Sequence, residues 1–174
     1  MTDLTPFLDS PFKQFALVVE DLDASVRVWH QHFGIGPWTA YRLGPKVLQD
    51  MTYFGKPAEF EFRHALAWQG DVQFELVQPI SGPSIFADHL KQHGPGLHHV
   101  GKYVADHPAA VQAVLADGFT PIQSAHGFGA EGDGAFAYFE PPGATPGPTG
   151  LIVELIEAPK VRITPEFVYP PAAG

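Results

Sequence analysis

The chain has 174 residues, 45% of them apolar, and its 19 acidic and 10 basic side chains leave a formal net charge of −9. This length suits one domain, or one domain assembled from two small modules. The acidic balance excludes the basic footprint that nucleic acids and anionic membranes require. With no cysteine, a disulfide scaffold, a zinc ribbon and a thiol nucleophile are also excluded.

Residues 1–14 carry no basic segment followed by an apolar run, and no stretch approaches the ~18 apolar residues of a membrane span. The expectation is a soluble cytoplasmic protein. Residues 12–19 (FKQFALVV) read as a strand, and Asp21 and Asp23 as an acidic helix start. The helix over 24–33 carries Val26, Trp29 and Phe33 at helical spacing and ends at Gly34. Strands are predicted over 37–43, 58–68 and 72–80. In the middle one, alternation puts Phe60, Phe62, His64, Leu66 and Trp68 on one face. A short helix over 84–93 precedes the breaker His93-Gly94-Pro95-Gly96. The order then restarts: a strand over 97–104, a helix over 108–117 closed by Gly118, and strands over 119–124, 135–140 and 150–157.

The halves repeat. QFALVVEDLDAS (14–25) matches HVGKYVADHPAA (99–110), with Val19 against Val104 and Asp21 against Asp106. FELVQP (74–79) matches VELIEA (153–158), with Glu75 against Glu154. Each half is thus a βαβββ module, about 12–80 and 97–158, joined by the 84–93 helix and followed by a tail at 159–174. Neither module covers both faces of its own sheet, so the two pack together, within one chain or across two. The fold class is α+β: tandem βαβββ modules forming a curved mixed sheet around a cavity, with the helices outside.

This repeat isolates four polar residues: Gln14 and His99 early in each first strand, Glu75 and Glu154 inside each last strand. Period-2 alternation sends Phe15 and Leu17 to the helix side and Gln14, Ala16 and Val18 to the other. It likewise separates His98, Val100 and Val104 from His99, Gly101 and Tyr103. In the last strand, Leu151, Val153 and Leu155 part from Ile152, Glu154 and Ile156. Paired modules then converge an amide oxygen, two carboxylates and an imidazole on one concave face. Their charge of −2 matches a divalent cation, and such an oxygen-rich set suits Mg, Mn, Co, Ni or Zn. Singly, Gln14 and Glu75 read as ordinary strand residues, but a glutamate flanked by Leu151, Ile152, Val153, Leu155 and Ile156 needs a partner or a metal.

With these ligands and the paired repeat, residues 12–158 resemble the vicinal oxygen chelate (glyoxalase/bleomycin resistance/dioxygenase) superfamily. The string ELVQPISGPSIFADHLKQHGPGLHHVGKYVAD (75–106) is similar to its methylmalonyl-CoA epimerase branch. The resemblance implies metal ligands at Gln14, Glu75, His99 and Glu154. Epimerases usually have histidine where this chain has Gln14, and often glutamine where it has Glu75. The quartet is instead similar to that of zinc-type glyoxalase I. The implied activity is a metal-dependent isomerase or glyoxalase-type lyase, with Glu75 and Glu154 as catalytic carboxylates moving a proton alpha to a carbonyl. The implied partner is a small acyl thioester, such as a coenzyme A ester, or a related ketone, in a homodimeric protein. Two rivals stand beside it. An extradiol-type dioxygenase favours two histidines and a carboxylate on iron, and a metal-free binding or resistance protein would use the same cavity without ligands.

Other histidines read otherwise. His98 is a core or interface residue facing the helix, His64 a satisfied core residue, His30 and His32 solvated helix positions, and His93 a helix-end cation. HGFGAEGDG (126–134) reads as a lid or hairpin loop, and PPGATPGPTG (141–150) as a stiff connector. Phe167, Val168 and Tyr169 in the tail are expected on a neighbouring subunit or loosely attached.

Overall fold

The computed structural model describes residues 7, 9–143 and 150–171. In chain order its elements are β1 (Phe12–Val18), α1 (Leu22–Phe33), β2 (Trp38–Leu43), β3 (Gln49–Tyr53), β4 (Lys56–Pro57), β5 (Glu61–Gln69), β6 (Val72–Ser81) and α2 (Ile85–His93). These are followed by β7 (Gly96–Tyr103), α3 (His107–Ala116), β8 (Thr120–His126), β9 (Ala135–Glu140), β10 (Ile152–Glu157) and β11 (Phe167–Tyr169). The helix starts follow the sequence chemistry: Asp21 accepts from the Ala24 amide at 2.9 Å, Ser84 from Ala87 at 3.2 Å and Asp106 from Ala109 at 2.9 Å. Gly34 ends α1 at φ 68, where a side chain would be strained.

All described strands join one mixed sheet in the order β11-β2-β5-β6-β1-β7-β10-β9-β8-β3-β4. β1 runs parallel to β6 and β7 parallel to β10, while β1 and β7 meet antiparallel in the middle. The modules therefore pair within one chain. Their equivalence extends to single bonds: the Val19 amide donates to Val77 at 2.8 Å, and Val104 to Ile156 at 2.9 Å.

The sheet must curl. β2 and β3 stand eight places apart in it, roughly 38 Å if it were flat. Residues 44–48 alone connect them, and six Cα steps reach at most about 22 Å. The hairpin β3–β4, absent from the sequence reading, crosses over to pair with β8 of the second half. Its polar QDMTY run offers little apolar periodicity, so nothing local marks it as a strand.

Helices α1 and α3 lie outside the sheet. Leu22 and Val26 of α1 pack with Trp38, Ala65 and Leu76, and Ala110 and Val114 of α3 with Val100, Val153 and Leu155. Helix α2 departs from that expectation by closing one end of the concave side. Its Ile85 and Phe86 join Val18, Phe62, Val77, Phe136 and Tyr138 there.

The tail is not a loose end: β11 pairs antiparallel with β2. Phe167 and Tyr169 pack beside Trp38 and Trp29. Loop 127–134 is a hairpin connection pinned to this tail. Gly129 bridges to Arg162, the Ala130 amide donates to Val161 at 2.8 Å, and the Lys160 amide to Asp133 at 2.8 Å. Of the predicted connector 141–150, residues 144–149 lie outside the described residues. No helix among the described residues is long and apolar enough to cross a membrane.

Candidate metal centre

The central strands β6, β1, β7 and β10 carry the four predicted residues. Ala16 sits opposite Glu75 in the β1/β6 ladder and Gly101 opposite Glu154 in the β7/β10 ladder. Two residues before each on the same strand stand Gln14 and His99. The intramolecular symmetry thus puts all four on one face, and all are buried: Gln14 3%, Glu75 4%, His99 0% and Glu154 5% exposed. Gly101 makes room at the seam, since a Cβ there would come within 2.5 Å of Gln14 Oε1.

Ligand atoms of Glu75, His99 and Glu154 lie within 4.8 Å of one another. His99 Nε2 is 3.2 Å from Glu75 Oε2 and 3.2 Å from Glu154 Oε2. Yet these three atoms, together with Gln14 Oε1, are buried without a hydrogen-bond partner among the described residues. An orphaned buried polar atom costs roughly 1–3 kcal/mol, and charged ones cost more. Four such atoms from four equivalent positions fit a bound cation, and an amide, two carboxylates and an imidazole are a donor set for a divalent metal.

Neighbouring side chains fix how these atoms point. Gln73 Oε1 accepts from Gln14 Nε2 at 3.0 Å and from the Tyr103 hydroxyl at 2.7 Å, which leaves the Gln14 oxygen facing the group. His98 Nε2 donates to the Ile85 carbonyl at 3.3 Å, and its Nδ1 accepts from His99 Nδ1 at 2.8 Å. Holding the proton on Nδ1 directs the Nε2 of His99 to the carboxylates.

His98 faces α2, with its ring 5.3 Å from Phe86 and 5.0 Å from His89. It does not follow Val100 to the α3 side. The β1/β7 ladder pairs Ala16 with His99 and Leu17 with Leu97, so His98 is the extra residue of a β-bulge and alternation breaks there.

His64 is the site residue that the sequence reading placed in the core. It is buried, as expected, but its Nδ1 lies 2.6 Å from Glu75 Oε1. It also lines the same cavity as Gln14, Glu75 and Glu154. Its one available signal was its place on β5: Leu66 pairs with Glu75, two residues along the same face.

The electrostatics separate the two glutamates. Burial opposes the charge of Glu75, but the contacts with His64 and His99 outweigh it and hold the carboxyl down at about 2. For Glu154, burial wins over the attraction of His99, and its carboxyl is raised above the ordinary range. Burial likewise opposes charge on His99, yet Glu154 and Glu75 lift it to about 9. Burial, reinforced by His99, pushes His98 well below its ordinary value, in keeping with a neutral relay.

The cavity over the site is lined by Phe62, Phe128, Phe136, Tyr103 and Tyr138, with the exposed Ala158 and Arg162 at its outer edge. His30, His32 and His93 lie away from it: His30 contacts the Ile35 carbonyl at 3.3 Å and the Tyr169 ring, His32 is exposed, and His93 packs its ring, tilted, against His89.

Solved structures share the fold. Methylmalonyl-CoA epimerase from Mycobacterium tuberculosis superposes with a TM-score of 0.62 at 22% identity, covering 86% of this chain and 89% of that one. A methylmalonyl-CoA epimerase in complex with methylmalonyl-CoA gives 0.61 at 17% identity, covering 88% and 97%. A variant of 4-hydroxymandelate synthase from Streptomyces coelicolor gives 0.59 at 18% identity, covering 95% of this chain and 43% of that one. No curated protein matches the sequence. The family model that does match spans residues 13–139, and by it the chain belongs to the Glyoxalase/Bleomycin resistance protein/Dioxygenase superfamily.

Proposed function

We propose that the protein is a metal-dependent isomerase or glyoxalase-type lyase that moves a proton alpha to a carbonyl of a small acyl thioester or ketone. The observation that carries this reading is the set of partnerless buried atoms Glu75 Oε2, His99 Nε2 and Glu154 Oε2, turned toward one another, with the equally partnerless Gln14 Oε1 on a residue lining the same cavity. These residues would hold a divalent ion. When bound, such an ion supplies a Lewis acid that polarises the carbonyl and favours loss of the adjacent proton by several kcal/mol.

The chain's own residues divide the proton transfer. Glu154, not held by a second histidine as Glu75 is by His64, is the base and takes the α-proton on its carboxylate oxygen. Glu75, tied to His64 at 2.6 Å, stays anionic and comes from the other half of the molecule. Delivery of a second proton to the opposite face, from His64 along its contact with Glu75, inverts the carbon, which is epimerisation; Glu154 then loses the abstracted proton to solvent and His64 regains one from it. Return from Glu154 to the neighbouring atom is a 1,2-shift. The superposable epimerases agree with this chemistry, whereas an extradiol dioxygenase would favour a second histidine among the ligands, where this chain offers only His99.

The test is metal stoichiometry of the purified protein together with deuterium wash-in from heavy water into acyl thioesters, methylmalonyl-CoA among them. Bound metal and wash-in that a chelator abolishes are expected. A metal-replete protein that washes deuterium into none of them would refute the proton-transfer reading. A protein that binds no added divalent ion would return the metal-free binding role.

A further inference from the structure

The outer end of the cavity carries a charge that the proton transfer does not use. We propose that Arg162 is the recognition residue for a carboxylate borne by the substrate, so that the substrate is a carbonyl compound with a free carboxylate a short chain away from the reacting carbonyl. This deepens the proposed function and rests on it for the identity of the reacting end.

Four observations converge. Among the described residues lining the cavity, Ala158 and Arg162 are the exposed ones, so the mouth lies there. Arg162 is also the one lysine or arginine in that lining. Three other cations are held elsewhere, Arg42 by Glu61, Arg63 by Asp23 and Glu166, and Lys102 by the Phe7 carbonyl, and the remaining ones are not part of the lining. Arg162 has no ion pair among the described residues.

Its position is also built. The bridge to Gly129 fixes its backbone, and its guanidinium lies over the Tyr41 ring, 5.7 Å from the centroid. Gly129 is packed so closely that an added Cβ would meet Pro159 at 2.6 Å, which ties the strap carrying Arg162 to the loop beneath it.

Charge and geometry select the ligand. Glu75 and Glu154 together balance a divalent ion, which leaves Arg162 as one uncompensated positive charge at the mouth. A single monoanion restores neutrality. The planar guanidinium fork matches a carboxylate in geometry. The lining next to the quartet is buried and largely aromatic while the exposed lining is Ala158 and Arg162, so a substrate with its carbonyl at the quartet extends outward past Arg162.

The probes are 4-oxopentanoate and its methyl ester, which share a ketone and differ in the charge. Binding to the manganese-loaded protein is measured by calorimetry for the parent and for Arg162→Gln and Arg162→Lys. The parent should bind the acid at least about tenfold more tightly than the ester, the usual worth of a charge-assisted hydrogen bond. Arg162→Gln should erase that preference and Arg162→Lys should keep part of it, both with unchanged manganese content. Equal binding of acid and ester by the parent, binding of neither, or a preference that survives in Arg162→Gln would overturn the assignment. So would displacement of the acid by inorganic phosphate at concentrations where acetate has no effect, since the anion site would then suit a phosphate. Deuterium exchange into the same acid reads the reaction separately: an acid preference without exchange leaves Arg162 standing and removes the proton transfer.

Discussion

His99 sits between two carboxylates with no exposure to solvent, and a metal must compete with a proton for its Nε2. The metal-free imidazole titrates at about 9, against an ordinary value of 6.5. Metal affinity should therefore climb with pH by about tenfold per unit up to pH 9. Between pH 7 and pH 9 that is a gain approaching ~10². The sign for stability follows from the same shift. A raised histidine stabilises the metal-free fold fully below pH 6.5, and that contribution, of order 3 kcal/mol, is lost as pH rises through 9.

The metal-free protein should thus melt at lower temperature at pH 9 than at pH 7, while the loaded protein, with His99 already deprotonated, should not share this loss. Manganese titration followed by electron paramagnetic resonance at pH 6.5, 7.5 and 8.5, with thermal melts of both forms, measures each part. An affinity independent of pH across this window, or parallel melting curves for the two forms, would refute the competition and with it the placement of His99 on the ion.

Glu154→Gln removes the base and one negative charge, so metal affinity should fall and deuterium wash-in should drop by at least ~10²; unchanged exchange would displace Glu154 as the base. Glu75→Gln should keep both metal and wash-in but lose inversion of the product carbon, read by chiral analysis; retained inversion would reduce Glu75 to a ligand. His98→Ala removes the acceptor that orients His99 and should weaken metal binding by about 10–100-fold with the far-ultraviolet spectrum unchanged, as calorimetry with manganese would show. Leu155→Ala, at a fully buried position under α3, should cost about 2–5 kcal/mol in a denaturant titration without altering metal stoichiometry.

Much of the site was legible because it repeats. Two copies of one strand–helix–strand pattern put Gln14 in register with His99 and Glu75 with Glu154, and period-2 alternation chose their shared face. The caps at Asp21 and Asp106, the glycine that ends α1 and the apolar sides of α1 and α3 are likewise local chemistry, and the sequence by itself determined them. What it could not specify depends on contacts between residues distant in the chain. The β3–β4 hairpin is a strand only because β8 offers it an edge, and β11 only because β2 does. His64 looks like a core histidine until β5 lies beside β6 and brings it to Glu75. His98 turns toward α2 because the β1/β7 ladder slips by one residue there, a bulge created by the pairing of two strands some eighty residues apart. Arg162 reaches the cavity mouth only because the tail is pinned to Gly129. Periodicity records which face a residue occupies, whereas partners across the sheet decide what that face meets, and only the tertiary structure supplies those partners.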